Sequence, residues 1–248
     1  MKKILLFTFL SAAAVASAQV NLKKAKSTAT NAAKKVTTTT PALTESEIID
    51  GLKEALSKGS NQAASLASAT GGFNNSTLIK IPFPQDAQKM ETKLRAIGMG
   101  AEVDKFVKAL NDAAELASKE VGTIFLDAIK GMTVKDGMNI LKGADNAATE
   151  YLRSQTNQQL YDKFKPIVIK ALQQVQVTKY WNPLVTKYNS IPMVDKVNPD
   201  LDDYTTKKCI EGLFKLVAGE ELKIRNDVNA RTSDLLKKVF AEADKKRQ

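Results

Sequence analysis

The sequence contains no histidine and a single cysteine among its 248 residues. Without histidine there is no Ser-His-Asp triad, no Cys-His pair, no imidazole proton shuttle and no histidine-ligated metal or haem. One cysteine allows neither an intrachain disulfide nor a cysteine-only zinc or iron–sulfur site within one chain. That residue, Cys209, lies beside Ile210 and Leu213 in a helical pattern and reads as a small buried hydrophobe. Proline (7) and glycine (12) are scarce and fall mostly between helical patterns, and aromatic residues make up only 6%. Alternating strand patterns are nearly absent. Phosphate-binding loops, GxGxxG, HExxH and GxSxG motifs do not occur. No cofactor is implied.

What is present first concerns destination. Lys2 and Lys3 precede an apolar stretch from Ile4 to about Val15, and Ala16-Ser17-Ala18 supplies small residues where a signal peptidase needs them. Residues 1–18 therefore read as a cleaved signal peptide, because the apolar run falls short of the ~20 residues that span a bilayer. The mature chain is expected in the periplasm or outside a bacterial cell, without a transmembrane segment.

The formal net charge of +10 suggests a nucleic-acid partner until the charges are located. Lys23, Lys24, Lys26, Lys34 and Lys35 lie in a Lys/Ala/Thr-rich arm over 19–42 that holds no acid. With these and Lys2 and Lys3 set aside from the 37 basic residues, 30 remain against 27 acidic ones, a net of +3 over residues 41–248. The basicity belongs to the arm, so no nucleic acid is expected. The arm suits a solvated linker or adhesion to an anionic envelope surface.

Residues 43–248 then read as a single all-α domain of about eight or nine helices, with one extended, Pro-bracketed segment near 78–84. Thr44 with Glu47 and Thr133 with Asp136 form capping boxes. Asp145 is expected to cap the helix holding Ala148, and Thr156 with Gln159 to open another that Pro166 kinks. Residues 178–200 read as short helices and turns. Asp202 or Asp203 is expected to cap the long helix containing Ile210 and Phe214, and Thr232 the last one.

Several phrases are familiar together. They are Ile81-Pro82-Phe83-Pro84, Leu94 to Gly100 (LRAIGMG), Asn111-Asp112-Ala113-Ala114-Glu115, Ile140 to Arg153 (ILKGADNAATEYLR), Leu201-Asp202-Asp203-Tyr204, Gly212-Leu213-Phe214 and Arg231 to Phe240 (RTSDLLKKVF). With these phrases the chain resembles the bacterial family of domain of unknown function 4197 from about Leu43 to Phe240. The resemblance implies an exported helical domain and assigns no catalytic residues.

Candidate sites come from charge. The chain has five arginines, Arg95, Arg153, Arg225, Arg231 and Arg247, where it otherwise uses lysine, so fork geometry is expected to matter. Glu91, Glu150, Glu221 and Asp234 lie three or four residues from Arg95, Arg153, Arg225 and Arg231 and offer local ion pairs. Alternatively, Arg153, Arg225 and Arg231 converge on an anionic ligand. The small-residue helix start in Gly143 to Arg153 offers either bare N–H groups or close helix packing. The segment from Asp200 to Asp203 lacks the pattern of a calcium loop, so no metal is expected. Asp127, Asp145 and Asp203 are the candidates if two carboxylates act on envelope glycan. The readings in order are a non-enzymatic envelope binding or scaffold protein, a carboxylate-dependent hydrolase, and a carrier of an apolar ligand between helices.

Overall fold

The computed structural model describes residues 43–245. The expected signal peptide over 1–18 and the basic arm over 19–42 lie outside the described residues. Nine α-helices follow in order: α1 Glu45–Ser68, α2 Gln88–Ala96, α3 Gly100–Ala117, α4 Val121–Lys130, α5 Val134–Lys142, α6 Ala147–Gln174, α7 Val177–Asn189, α8 Leu201–Asn226 and α9 Asp234–Lys245. No strand occurs among the described residues. The all-α reading holds. No described helix is long and apolar enough to cross a membrane.

Local chemistry explains several boundaries. The Thr44 hydroxyl accepts from the Glu47 amide while the Glu47 carboxylate takes the Thr44 N–H, which closes the first turn of α1. Thr133 and Asp136 do the same for α5. Other boundaries differ from expectation. Thr156 does not open a helix: its hydroxyl donates to the Leu152 carbonyl, and α6 runs on through Pro166 as one 28-residue element. At α8 the cap is Asp200, whose carboxylate accepts from the Asp203 amide, which releases Asp202 and Asp203 from that duty. Ser233 rather than Thr232 accepts from Leu236 at the start of α9. Residues 177–189 form one regular helix containing Pro183.

Helices α1, α6 and α8 form the centre. Phe125 of α4 meets Phe214 of α8 edge-on at 5.6 Å. A second aromatic group joins Phe83, Phe106 and Trp181, with ring centroids 4.7–5.7 Å apart. Trp181 and Tyr188 belong to the buried core.

The Pro-bracketed segment is irregular rather than a strand, and α3 supplies its missing partners. The Asn111 side-chain amide accepts from the Ile81 N–H at 2.8 Å and donates to the Ile81 carbonyl at 2.8 Å, acting as a one-residue strand. The Tyr204 hydroxyl donates to the Pro82 carbonyl from α8. Upstream, the buried Glu115 carboxylate accepts from the amides of Gly71, Phe73 and Asn74. Gly71, with φ +81°, turns the chain over that carboxylate. A side chain at Gly212 would press within about 3.1–3.2 Å of Phe73 and Ile79, which would have to shift by a few tenths of an ångström to admit it.

Candidate functional site

The six candidate residues separate into three groups. Arg225 and Arg231 meet at a buried junction. Arg153 and Asp203 line one surface groove. Asp127 and Asp145 stand apart, both exposed, and Asp127 faces Lys130 at 3.5 Å.

The junction gathers helix ends. Glu221, on α8, accepts from the amides of Ala148 and Thr149 at 2.9 and 2.8 Å and from the Thr149 hydroxyl at 2.7 Å. It therefore caps α6 from another helix, and of the two readings of this helix start the bare N–H groups are filled by this carboxylate. Asn146, at the N-cap position, supplies no side-chain cap. Arg225 forks onto Glu221 through Nε and Nη2 at 2.9 and 2.8 Å, and Nη2 also donates to the Ile140 carbonyl in the last turn of α5. Arg231 donates to the carbonyls of Ile224 and Arg225, closing the end of α8. Its acidic partner is Asp244 of α9 at 2.7 Å, not the nearer Asp234, which pairs with Lys237. The side chains of Arg225 and Arg231 are only 2% and 3% exposed. Beside them lies a cavity of about 20 Å³ lined by Leu52, Ala55, Ala148, Val217, Arg225 and Phe240. That is the room of about one water molecule. These two arginines join helices and face no groove.

The groove lies between α6 and α8 and has a volume of about 440 Å³. Its walls are two rows at helical spacing: Arg153, Asn157 and Tyr161 from α6, and Asp203, Lys207 and Glu211 from α8. The helices run antiparallel, since Tyr161 bonds to Asp203 at one end while Arg153 lies over Phe214 toward the other. The Tyr161 hydroxyl donates to Asp203 at 2.5 Å and accepts from Lys165 at 3.1 Å. Lys207 approaches the other Asp203 oxygen at 2.8 Å. Bonds from Lys207 and then Tyr161 hold the Asp203 carboxyl below its usual range. Lys215 and Lys208 flank Glu211 and pull its carboxyl down to about 2. Both groove acids are therefore ionised near neutral pH.

Arg153 is the exception among the domain's arginines. Its guanidinium sits 4.5 Å above the Phe214 ring and donates no hydrogen bond among the described residues; its Nε is buried without a partner, as is Nη1 of Arg225, whose other nitrogens donate. The nearest acid, Glu150, stands 3.6 Å away, outside hydrogen-bond range. The aromatic face orients the planar fork without using its N–H donors. Arg95, in contrast, is tied to Glu91 and Asp104. Reading the sequence for single residues and local pairs passes over Tyr161 and Glu211. The signal that finds them is the i, i+4, i+8 row on each helix, 153–157–161 against 203–207–211.

This all-α domain, with helix ends cross-capped by buried ions and a charged groove between its two longest helices, defines a helical domain with a polar surface cleft. A family described as "Protein of unknown function (DUF4197)" matches residues 42–241, and the chain belongs to it. No curated protein and no solved structure matches the chain.

Proposed function

We propose that this protein is an exported, non-enzymatic binding protein of the bacterial cell envelope, and that it holds an anionic group of its ligand on Arg153 in the α6–α8 groove. One observation carries the reading: of Arg95, Arg153, Arg225 and Arg231, only Arg153 donates no hydrogen bond among the described residues, although packing on Phe214 holds it in place. A fixed guanidinium with free donors is a ready receptor for a carboxylate or phosphate.

The alternatives have less support. A glycosidase acid must hold its proton near neutral pH. Asp203 and Glu211 are both shifted the other way, and they sit eight residues apart on one helix, about 12 Å by helical rise. An apolar carrier needs roughly 300 Å³ of cavity, whereas the apolar cavity at the junction offers about 20 Å³.

Export rests on the basic, apolar and small-residue sequence of residues 1–18, and adhesion to an anionic envelope surface on the lysine-rich arm. Protein isolated from its native cell should begin at Gln19, and an intact Met1 would overturn export. Removing residues 19–40 should weaken envelope association at low salt, and unchanged association would end the adhesion reading. The groove is tested by titrating arginine-¹⁵N-labelled protein with sodium acetate and with inorganic phosphate. The Arg153 Nε–H resonance should shift while those of Arg225 and Arg231 stay still. No response of Arg153 to either anion would remove the site.

A further inference from the structure

The anion reading leaves open what kind of molecule carries the charge, and the groove's charge pattern narrows it. Two cations, Arg153 and Lys207, and two ionised acids, Asp203 and Glu211, line the same cleft. Their formal charges cancel. A ligand with charges of one sign only leaves half of these four groups without a complement. A ligand with one group of each sign meets a complement for both.

The spacing sets the distance between those groups. Arg153 and Tyr161 are eight residues apart on α6, which is about 12 Å along the axis. Tyr161 marks the Asp203 end, because its hydroxyl donates to that carboxylate. Arg153 and the Asp203 end of the groove therefore stand about 12 Å apart. An extended peptide advances about 3.3–3.6 Å per residue, so three residues reach about 10–11 Å and the ion-pair contacts at the two ends make up the rest. The volume of about 440 Å³ falls within the ordinary range of small-ligand sites.

Two further features suit this occupant. The Lys207 ammonium on Asp203 belongs to a side chain 67% exposed, and an exposed pair of this kind is readily exchanged for another cation. Asn157 lines the groove one helical turn from both Arg153 and Tyr161, and its side-chain amide can both donate to and accept from a peptide backbone.

We infer that the α6–α8 groove binds short peptides with free ends, about three residues long, with the terminal carboxylate on Arg153 and the terminal ammonium on Asp203. This rests on the anion-binding reading of Arg153 and adds the second charge, the length and the direction. The peptide lies antiparallel to α6, its N-terminus toward Tyr161.

The test is ultrafiltration with mass spectrometry on the mature chain, using mixtures of random tripeptides with free ends, the same mixtures N-acetylated or C-amidated, and random di- and hexapeptides. Free tripeptides should be retained at least tenfold over either capped mixture and over hexapeptides. Arg153→Gln should erase the preference for a free carboxylate and Asp203→Asn the preference for a free ammonium. Arg153→Lys, which keeps the charge, should retain part of the first. Equal retention of free and capped tripeptides, or retention of none, would overturn the inference. If Arg153 still responds to acetate or phosphate in that case, the anion site stands and the peptide assignment alone fails. If it responds to neither, both fail. Unchanged melting of each variant shows that lost retention is not lost folding.

Discussion

Along α8 the same chemistry is used in two ways. Near its start, Asp203, Lys207 and Glu211 are partly exposed and line a groove, and the arginine across from them has a buried Nε with no partner. Ten residues past Glu211, Glu221 and Arg225 are buried, and the Glu221 carboxylate serves Ala148, Thr149 and Arg225 together. The difference is solvent. In a dry junction each charge has to be matched by several hydrogen bonds, because desolvation costs more than a single partner returns. In a wet groove ion pairs are weak and exchangeable, and a guanidinium can be held by an aromatic face with its donors free. Arginine alone therefore does not mark a site. Arginine that donates no hydrogen bond at all does, and Arg225, whose buried Nη1 lacks a partner, still donates through Nε and Nη2.

Substitutions at the two regions should separate them. The largest effect belongs to Glu221→Ala, which strands Arg225 and uncaps α6. Breaking a buried pair costs about 3–5 kcal/mol, which for a domain of this size lowers the melting temperature on the order of 10 °C. A loss below about 1 kcal/mol, the exposed-pair range, would mean that the junction is solvated after all. Next comes Arg225→Lys, which keeps the charge but cannot fork onto Glu221 and the Ile140 carbonyl together. Chemical denaturation should show a loss of about 1–3 kcal/mol. Arg153→Gln removes only a stack on Phe214 and a loose pair, so its stability should change by less than about 1 kcal/mol, while its response to acetate and phosphate disappears. An equally large stability loss at Arg153 and Arg225 would erase the contrast.

Gly219 lies between the two regions, inside α8, with open space where a Cβ would go. Gly219→Ala should raise stability by about 0.5–1 kcal/mol and leave both regions unaltered. The smallest effect concerns pH. The Glu211 carboxyl is lowered from 4.5 to about 2 by Lys215 and Lys208. Its contribution to stability is complete above pH 4.5 and fades as pH falls toward 2. Glu211→Gln should flatten that part of the acid unfolding curve slightly, because the side chain is 41% exposed.

Legibility in the sequence followed the range of each interaction. The capping boxes at Thr44 and Thr133 span three residues, and the Glu221–Arg225 pair spans four, so spacing alone exposes them. The partner of Arg231 is thirteen residues away on the next helix, and a nearer acid, Asp234, draws the eye first. The cap of α6 comes from Glu221, 73 residues beyond Ala148, and no local rule points to it. Thr156 carries a capping pattern inside a continuous helix because its hydroxyl has a carbonyl one turn back to bond instead. Three of the phrases that carry the family resemblance explain one another in space, and a fourth packs against the residues just before them. Asn111 holds Ile81, Tyr204 holds Pro82, and Gly212 makes room for Phe73 and Ile79. In the groove, Arg153 and Asp203 were visible as residues, but their sharing one cleft depends on the antiparallel packing of α6 and α8.

Cys209 gives the fold a built-in reporter. It lies fully buried on α8 within the stretch that also lines the groove, and burial pushes its thiol well above the ordinary cysteine range. A thiol-specific dye can reach it only when α8 lifts away from its neighbours. The rate at which the native protein takes up such a label therefore counts openings of the central helix, and comparing that rate with global unfolding shows whether α8 breathes alone or only with the whole domain.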